Sequence, residues 1–255
     1  MLLTVLGCSG SIPGPSSPAS GYLIDAGGAR LVLDLGNGTL GRLQSHADPF
    51  SLDALLLSHL HPDHCADFSA LTVLRRYHPD PSADSRAAKL PVYAPQEAPT
   101  RLAAQYAPDA AELAETDLSD VFDFHALPVE RSINGIGVRA TRVVHPCEAY
   151  GLRLDHHGRV LVYTGDSGAC AALTELAEGA DVLLAEASWT HAEDRPPDLH
   201  LSGREAGELA ETARVGRLIL THVPPWTDAD AVLEEAKAAF SGEVVLAELD
   251  ARYEI

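Results

Sequence analysis

A run of three leucines, Leu55-Leu56-Leu57, leads directly into Ser58-His59-Leu60-His61-Pro62-Asp63-His64, so four metal-ligand side chains of the form H-x-H-x-D-H fall within six residues. The apolar run, bounded by Asp53 and Pro62, predicts a buried strand. If the backbone stays extended to Leu60, strand alternation puts His59 and His61 on one face, about 7 Å apart along the chain, where they can share an ion. Pro62 stops the strand, and Asp63 is expected at a helix N-cap, which turns Asp63 and His64 away from the first pair and toward a second ion. A surface histidine cluster is the plain alternative, but a metal site needs remote partners, and this chain supplies them.

Three further segments end an apolar, strand-like stretch on a ligand type: Val143-Val144-His145, Tyr163-Thr164-Gly165-Asp166 and Leu220-Thr221-His222. Taken singly, each is an ordinary turn residue. Together they share one placement, the C-terminal end of a strand, where loops can converge on one site.

The ordered set H-x-H-x-D-H, His145, Asp166, His222 resembles the metallo-β-lactamase superfamily, from the Leu6-Gly7-Cys8-Ser9-Gly10 opening to Thr221-His222. The resemblance implies that His59, His61 and His145 bind one metal, that Asp63, His64 and His222 bind a second, and that Asp166 bridges them. It also implies that Asp34, in Leu33-Asp34-Leu35-Gly36, supports the metal loop as an outer acceptor. The opening loop, Glu186-Ala187-Ser188 and His200-Leu201-Ser202-Gly203-Arg204-Glu205-Ala206 are similar to the ribonuclease Z-like branch. That likeness makes His200 a candidate general acid and Glu186 its orienter, with Asp63 both binding metal and orienting the attacking water; His191 reads as an exposed loop residue. Flavodiiron-type members carry Glu at the position of His61, which disfavours an iron redox site.

The implied fold is α/β, an αββα four-layer sandwich of two mixed sheets with helices outside, as a single domain over 1–255. Hydrophobic periodicity predicts strands near 2–7, 21–26, 30–35, 53–58, 90–94, 138–144, 150–155, 159–164, 181–186, 217–221 and 243–248. Helices are expected near 39–46, 66–77, 97–106, 169–178, 203–214 and 228–240, with a loop over 77–85 and a polar stretch over 193–198 placed to cover the site. The glycine-rich opening lacks the Lys of a phosphate loop, so it does not read as a nucleotide cradle.

The donors are all N or O, which favours zinc as the two divalent ions, with manganese or iron able to load. Such a pair activates water and accepts charge developing on phosphoryl oxygens. The substrate is narrowed by charge: 18 Lys and Arg face 37 Asp and Glu, a net −19, whereas large RNAs are gripped by basic residues. The basic arm that such relatives use to hold tRNA often lies between the third His and the bridging Asp, and here His145 and Asp166 are only 21 residues apart. The expected substrate is therefore a small phosphodiester; stretches such as Leu6-Gly7-Cys8-Ser9-Gly10-Ser11 and His61-Pro62-Asp63-His64-Cys65-Ala66-Asp67 resemble an arm-less bacterial subgroup that includes cyclic-nucleotide phosphodiesterases, and that resemblance implies a 3′,5′-cyclic nucleotide such as cAMP. A ribonuclease Z-type tRNA 3′-processing endonuclease is the alternative, and a non-catalytic metal-binding scaffold the third reading. Four scattered cysteines (Cys8, Cys65, Cys147, Cys170), no signal peptide and no membrane-length apolar span lead to the expectation of a cytoplasmic enzyme. Cys147 is expected in a small buried apolar role. A homodimer is implied by the resemblance alone.

Overall fold

In the computed structural model, which describes residues 1–80 and 88–255, strands with apolar side chains on both faces assemble into two sheets. The first sheet contains β1 (Leu2–Gly7), β2 (Gly21–Ala26), β3 (Ala29–Leu33), β4 (Ala54–Leu56), β5 (Leu90–Ala94), β6 (Phe122–Ala126) and β14 (Arg252–Glu254), in the order β14-β1-β2-β3-β4-β5-β6. The second contains β7 (Glu130–Ile133), β8 (Ile136–Arg142), β9 (Tyr150–His156), β10 (Arg159–Tyr163), β11 (Val182–Glu186), β12 (Arg217–Thr221) and β13 (Glu243–Leu246), in the order β13-β12-β11-β10-β9-β8-β7. Each sheet is antiparallel on one side, through β14-β1-β2-β3 and through β7-β8-β9-β10, and parallel through the rest, so both are mixed.

Period-2 alternation divides the apolar residues among three layers of contact. Leu3, Val5, Tyr22, Ile24, Leu31 and Leu33 of the first sheet meet Val138, Leu152, Leu161, Leu184 and Ile219 of the second. The opposite face of the first sheet, with Leu23, Val32 and Leu55, packs against Leu43 of α1 (Thr39–His46), Phe68 and Leu71 of α3 (Phe68–Tyr77) and Leu102 of α4 (Ala98–Tyr106). The outer face of the second sheet, with Val162, Leu183, Leu218 and Leu220, is covered by Leu173 of α6 (Ala171–Ala177), Ala206 and Ala210 of α7 (Gly203–Thr212) and Val232 of α8 (Ala229–Ala239). Helix, sheet, sheet, helix is the predicted sandwich, and no helix among the described residues is long and apolar enough to cross a membrane.

Strand direction gathers the site. β10, β11 and β12 are mutually parallel, and β8 runs the same way because two antiparallel steps through β9 restore its direction. Their C-terminal ends therefore lie along one edge, where Glu186 closes β11 and His145, Asp166 and His222 follow β8, β10 and β12. In the first sheet, parallel β3 and β4 run out in the same way toward Asp34 and His59.

The structure departs from expectation at the motif itself. β4 ends at Leu56 and the chain does not stay in the ladder to Leu60: Leu57 N–H still donates to Tyr93 O of β5 at 2.8 Å, but Ser58 N–H turns to Asp34 Oδ1 at 2.7 Å. His61, not Asp63, is the N-cap of α2 (Pro62–Cys65); Pro62, which has no N–H to leave unpaired, takes the first helical position and Asp63 the second. The sequence pattern also missed β6, β7, β14, α2 and the short α5 (Ala110–Leu113). β7 and β14 are polar edge strands with little apolar alternation to read. Of the loop expected over 77–85, Tyr77 closes α3 and residues 81–85 lie outside the described ones.

α7 and α8 approach so closely that a Cβ on Gly203 would lie 2.2 Å from Val232 O, and one on Gly207 2.6 Å from Ala236 O. Gly207→Val is expected to force these helices apart and to cost about 1–3 kcal/mol in urea unfolding, the usual penalty of overpacking.

Candidate metal centre

Seven side chains named from the sequence converge at the strand-end edge. His59, His61 and His145, joined by Cys147, form one group whose ligand atoms all lie within 4.8 Å of one another; Asp63, His64, Asp166 and His222 form a second. In the first group His59 Nε2 is 3.0 Å from His61 Nδ1, which is 3.3 Å from His145 Nε2. In the second, His64 Nε2 and His222 Nε2 are 3.2 Å apart, and Asp63 Oδ2 is 3.4 Å and 3.1 Å from them respectively. Asp166 reaches both groups, its Oδ2 lying 3.6 Å from His59 Nε2 and 3.4 Å from His222 Nε2.

Outer hydrogen bonds fix which ring nitrogens face inward. A carboxylate or carbonyl oxygen only accepts, so His64 Nδ1–H donates to Asp34 Oδ2 at 2.7 Å and His145 Nδ1–H donates to Leu199 O at 2.9 Å. Ser58 Oγ donates to Asp34 Oδ2 at 2.8 Å, leaving it to accept from His59 Nδ1–H at 3.1 Å. Ser188 Oγ donates to Glu186 Oε2 at 2.9 Å, leaving it to accept from His222 Nδ1–H at 2.9 Å. All four rings therefore turn Nε2 toward the centre.

These residues fit two divalent cations. A tetrahedral ion with bonds of about 2.0–2.1 Å needs its ligand atoms roughly 3.3–3.4 Å apart, and the separations within each group are close to that. Asp34, Asp63 and Asp166 are all buried, and no Lys or Arg among the described residues pairs with any of them. Asp166 Oδ1 is buried and accepts no hydrogen bond, although His64 Nε2 is 3.2 Å away. Buried carboxylates need compensation, and without Lys or Arg it falls to the imidazoles and hydroxyls around them and to the cations such a donor set can hold.

Electrostatics differ between the groups. Burial holds His59 well below the usual imidazole range, and burial likewise lowers His61 and His145, so this trio is neutral and ready to coordinate. For His64 burial opposes charge, but Asp166 and Asp34 override it and hold the ring well above its ordinary value. Burial would raise Asp63 and Asp166, yet the neighbouring histidines keep both below the usual carboxylate range.

His200 lies beside both groups, its ring 5.4 Å from those of His145 and His222. Its Nδ1–H donates to Glu186 Oε1 at 2.9 Å, and the fully buried Glu186 also accepts Ser167 N–H at 2.9 Å. Burial works against protonation of His200, but the Glu186 carboxylate more than offsets it and its pKa is raised to about 9. His191, expected to be exposed, is half-buried, with Nδ1 3.0 Å from Ser202 Oγ and its backbone N–H bonded to Glu235, because the loop folds back onto α7. Cys147, expected in a buried apolar role, is half-buried and faces a metal-ligand type, with Sγ 3.9 Å from His61 Nε2. Sequence reasoning did not find Ser58, Ser188, Tyr163 or the Leu199 carbonyl. Ser58 and Ser188 adjoin motif residues and were the readable signals; Tyr163 within an apolar strand reads as core, and a carbonyl has no sequence signature.

Residues 21–223 match the Beta-lactamase superfamily domain. The chain belongs to the metallo-β-lactamase superfamily. An uncharacterized protein of Mycobacterium leprae is 52% identical over 95% of this chain and 84% of its own length. A ribonuclease Z of Mycolicibacterium paratuberculosis is 29% identical over 88% of this chain and 86% of its own. The crystal structure of the metallo-β-lactamase fold protein YhfI from Bacillus subtilis superposes with a TM-score of 0.85 at 28% identity, covering 100% of this chain and 98% of that one. As a member of this superfamily the chain is a metal-dependent hydrolase, and divalent metal binding comes with the fold.

Two outcomes follow. Asp34→Asn removes the negative charge facing Ser58 and His64 and is expected to weaken metal affinity about 10–100-fold, read by competition with a chromophoric chelator. Stripping the metal leaves the buried carboxylates without their counter-charge, and at saturating metal the difference is expected to lower the thermal midpoint by on the order of 10 °C, measured by scanning calorimetry with and without chelator.

Proposed function

We propose that this protein is a binuclear phosphodiesterase that hydrolyses a small phosphodiester, a 3′,5′-cyclic nucleotide such as cAMP. In this reading His59, His61 and His145 hold one ion, Asp63, His64 and His222 the other, and Asp166 bridges them, with zinc the metal best matched to the donors. When bound, the ions supply the activated water and neutralise charge on the phosphoryl oxygens.

The observation that carries the reading is the His200–Glu186 pair set against both metal groups. Glu186 holds the Nδ1 proton of His200 and thereby leaves Nε2 as the ring nitrogen available to a substrate. From there Nε2–H can protonate the oxygen that departs from phosphorus, and a cationic ring stabilises the charge gathering on the phosphoryl group. Asp63, in the first turn of α2, orients the attacking water from the side of His222.

A small substrate is supported by the interval between His145 and Asp166. The β9–β10 hairpin fills it, with Arg159 paired to His156 across a tight turn, so no tRNA-gripping arm is inserted there. The chain's net charge of −19 points the same way. The 29% identity to a ribonuclease Z favours the second reading, cleavage at the 3′ end of a tRNA precursor.

Zinc-loaded protein is expected to turn over 3′,5′-cyclic AMP and to leave a 3′-extended tRNA precursor intact; the reverse pattern would make the second reading the correct one. His200→Ala is expected to lower kcat by about 10²–10⁴-fold with metal content unchanged, whereas Asp63→Ala should lose both activity and one equivalent of metal by elemental analysis.

A further inference from the structure

A cavity of ≈ 430 Å³ adjoins the metal centre, sharing His61 and Cys147 as lining residues. That size lies within the range of small-molecule sites, which combine apolar walls with a few placed polar groups. Leu60 and the buried Pro95 supply apolar surface, and Glu97, Arg101 and Glu148 supply the polar groups.

Glu148 is oriented from one side only. Its Oε1 accepts Tyr150 O–H at 2.7 Å and Gln96 N–H at 3.4 Å, whereas Oε2 has no hydrogen-bond partner among the described residues. The Arg101 guanidinium, on α4, likewise makes no hydrogen bond or ion pair among the described residues. The cavity thus presents an anchored acceptor, Glu148, and a free donor, Arg101, beside a metal-ligand histidine, with the carboxylate of Glu97 a second lining acceptor that is exposed to solvent.

Nucleobases differ in the pattern they offer to such a pair. Adenine carries an amine donor next to a ring-nitrogen acceptor, whereas guanine shows two acceptors, O6 and N7, on the same edge. Guanine could instead offer paired N–H donors from its other edge, but these need both oxygens of a carboxylate; Oε1 of Glu148 is already occupied, and the carboxylate of Glu97 is exposed, where water competes for such bonds. Building on the phosphodiesterase reading, we propose that this cavity is the nucleobase subsite and that Glu148 is its specificity-determining residue, accepting from the exocyclic amine of adenine while Arg101 donates to the adjoining ring nitrogen.

The test compares adenosine with inosine, which carries an oxygen in place of the amine, by calorimetric titration of wild-type protein and Glu148→Met. Methionine preserves side-chain volume without the acceptor, and Tyr150 keeps its second bond to Leu127 O at 3.1 Å; thermal midpoints check the fold. Wild type is expected to prefer adenosine by about tenfold or more, the worth of one hydrogen bond to a charged group, and the variant to lose that preference. Arg101→Met is expected to weaken adenosine as well. Metal-loaded Glu148→Met should raise KM for cyclic AMP by a similar factor while hydrolysing bis(p-nitrophenyl) phosphate at the wild-type rate. Equal affinity of wild type for the two nucleosides, an intact preference in Glu148→Met, or a matching loss on bis(p-nitrophenyl) phosphate would overturn the assignment. Failure of the phosphodiesterase reading is seen separately, as an adenosine preference in a metal-loaded protein that turns over neither phosphodiester.

Discussion

One carboxylate organises the centre. Asp34, fully buried at the end of β3 with φ of 56°, accepts from Ser58 N–H, Ser58 O–H, His64 Nδ1–H and Tyr163 O–H. Three of those bonds shape the metal loop, and the fourth crosses to the second sheet. Nearby, Tyr22 on β2 reaches Thr221 on β12 with a 2.6 Å contact, and its ring lies 5.1 Å from that of Tyr163. The sheets are thus clamped by polar bonds where the site is built and by aliphatic packing elsewhere. A left-handed backbone at a non-glycine residue is costly, and here four satisfied acceptor contacts hold it in place.

Glu186 repeats this design in the second sheet. Each carboxylate holds one histidine directly, Asp34 with His64 and Glu186 with His200, and a second through a serine relay, Ser58 to His59 and Ser188 to His222. The relay fixes the tautomer without placing a further negative charge against the ring. The directly held rings are the two raised above the ordinary imidazole range, His64 beside Asp34 and Asp166 and His200 beside Glu186, whereas His59, held through Ser58, lies well below it.

The candidate ligands were legible as ligand types at the ends of apolar strand-like runs, and their assignment came through the resemblance that their order carries to the metallo-β-lactamase superfamily. The sandwich came through the same resemblance, and strands such as Leu31–Leu33 and Leu161–Val162, apolar on both faces, agree with it. The local path of the motif was not. Strand alternation was the wrong reason for pairing His59 with His61; the chain leaves the ladder after Leu57 because Asp34, twenty-odd residues earlier in sequence, recruits Ser58. A long-range hydrogen bond of this kind has no periodic trace. Edge strands β7 and β14 were invisible for a related reason, as their partners rather than their own pattern define them.

The Leu199 carbonyl that orients His145 belongs to the loop joining Trp189 to His200, and Arg195 in the same loop pairs with Glu205 of α7 at 2.9 Å. A metal ligand therefore takes its orientation from backbone that also borders the reaction space. Linkage is reciprocal, so whatever displaces Leu199 would weaken the hold of His145 on a metal, and a metal on His145 would hold Leu199 in place by the same factor. The segment is less a cover over a finished site than a part of the site.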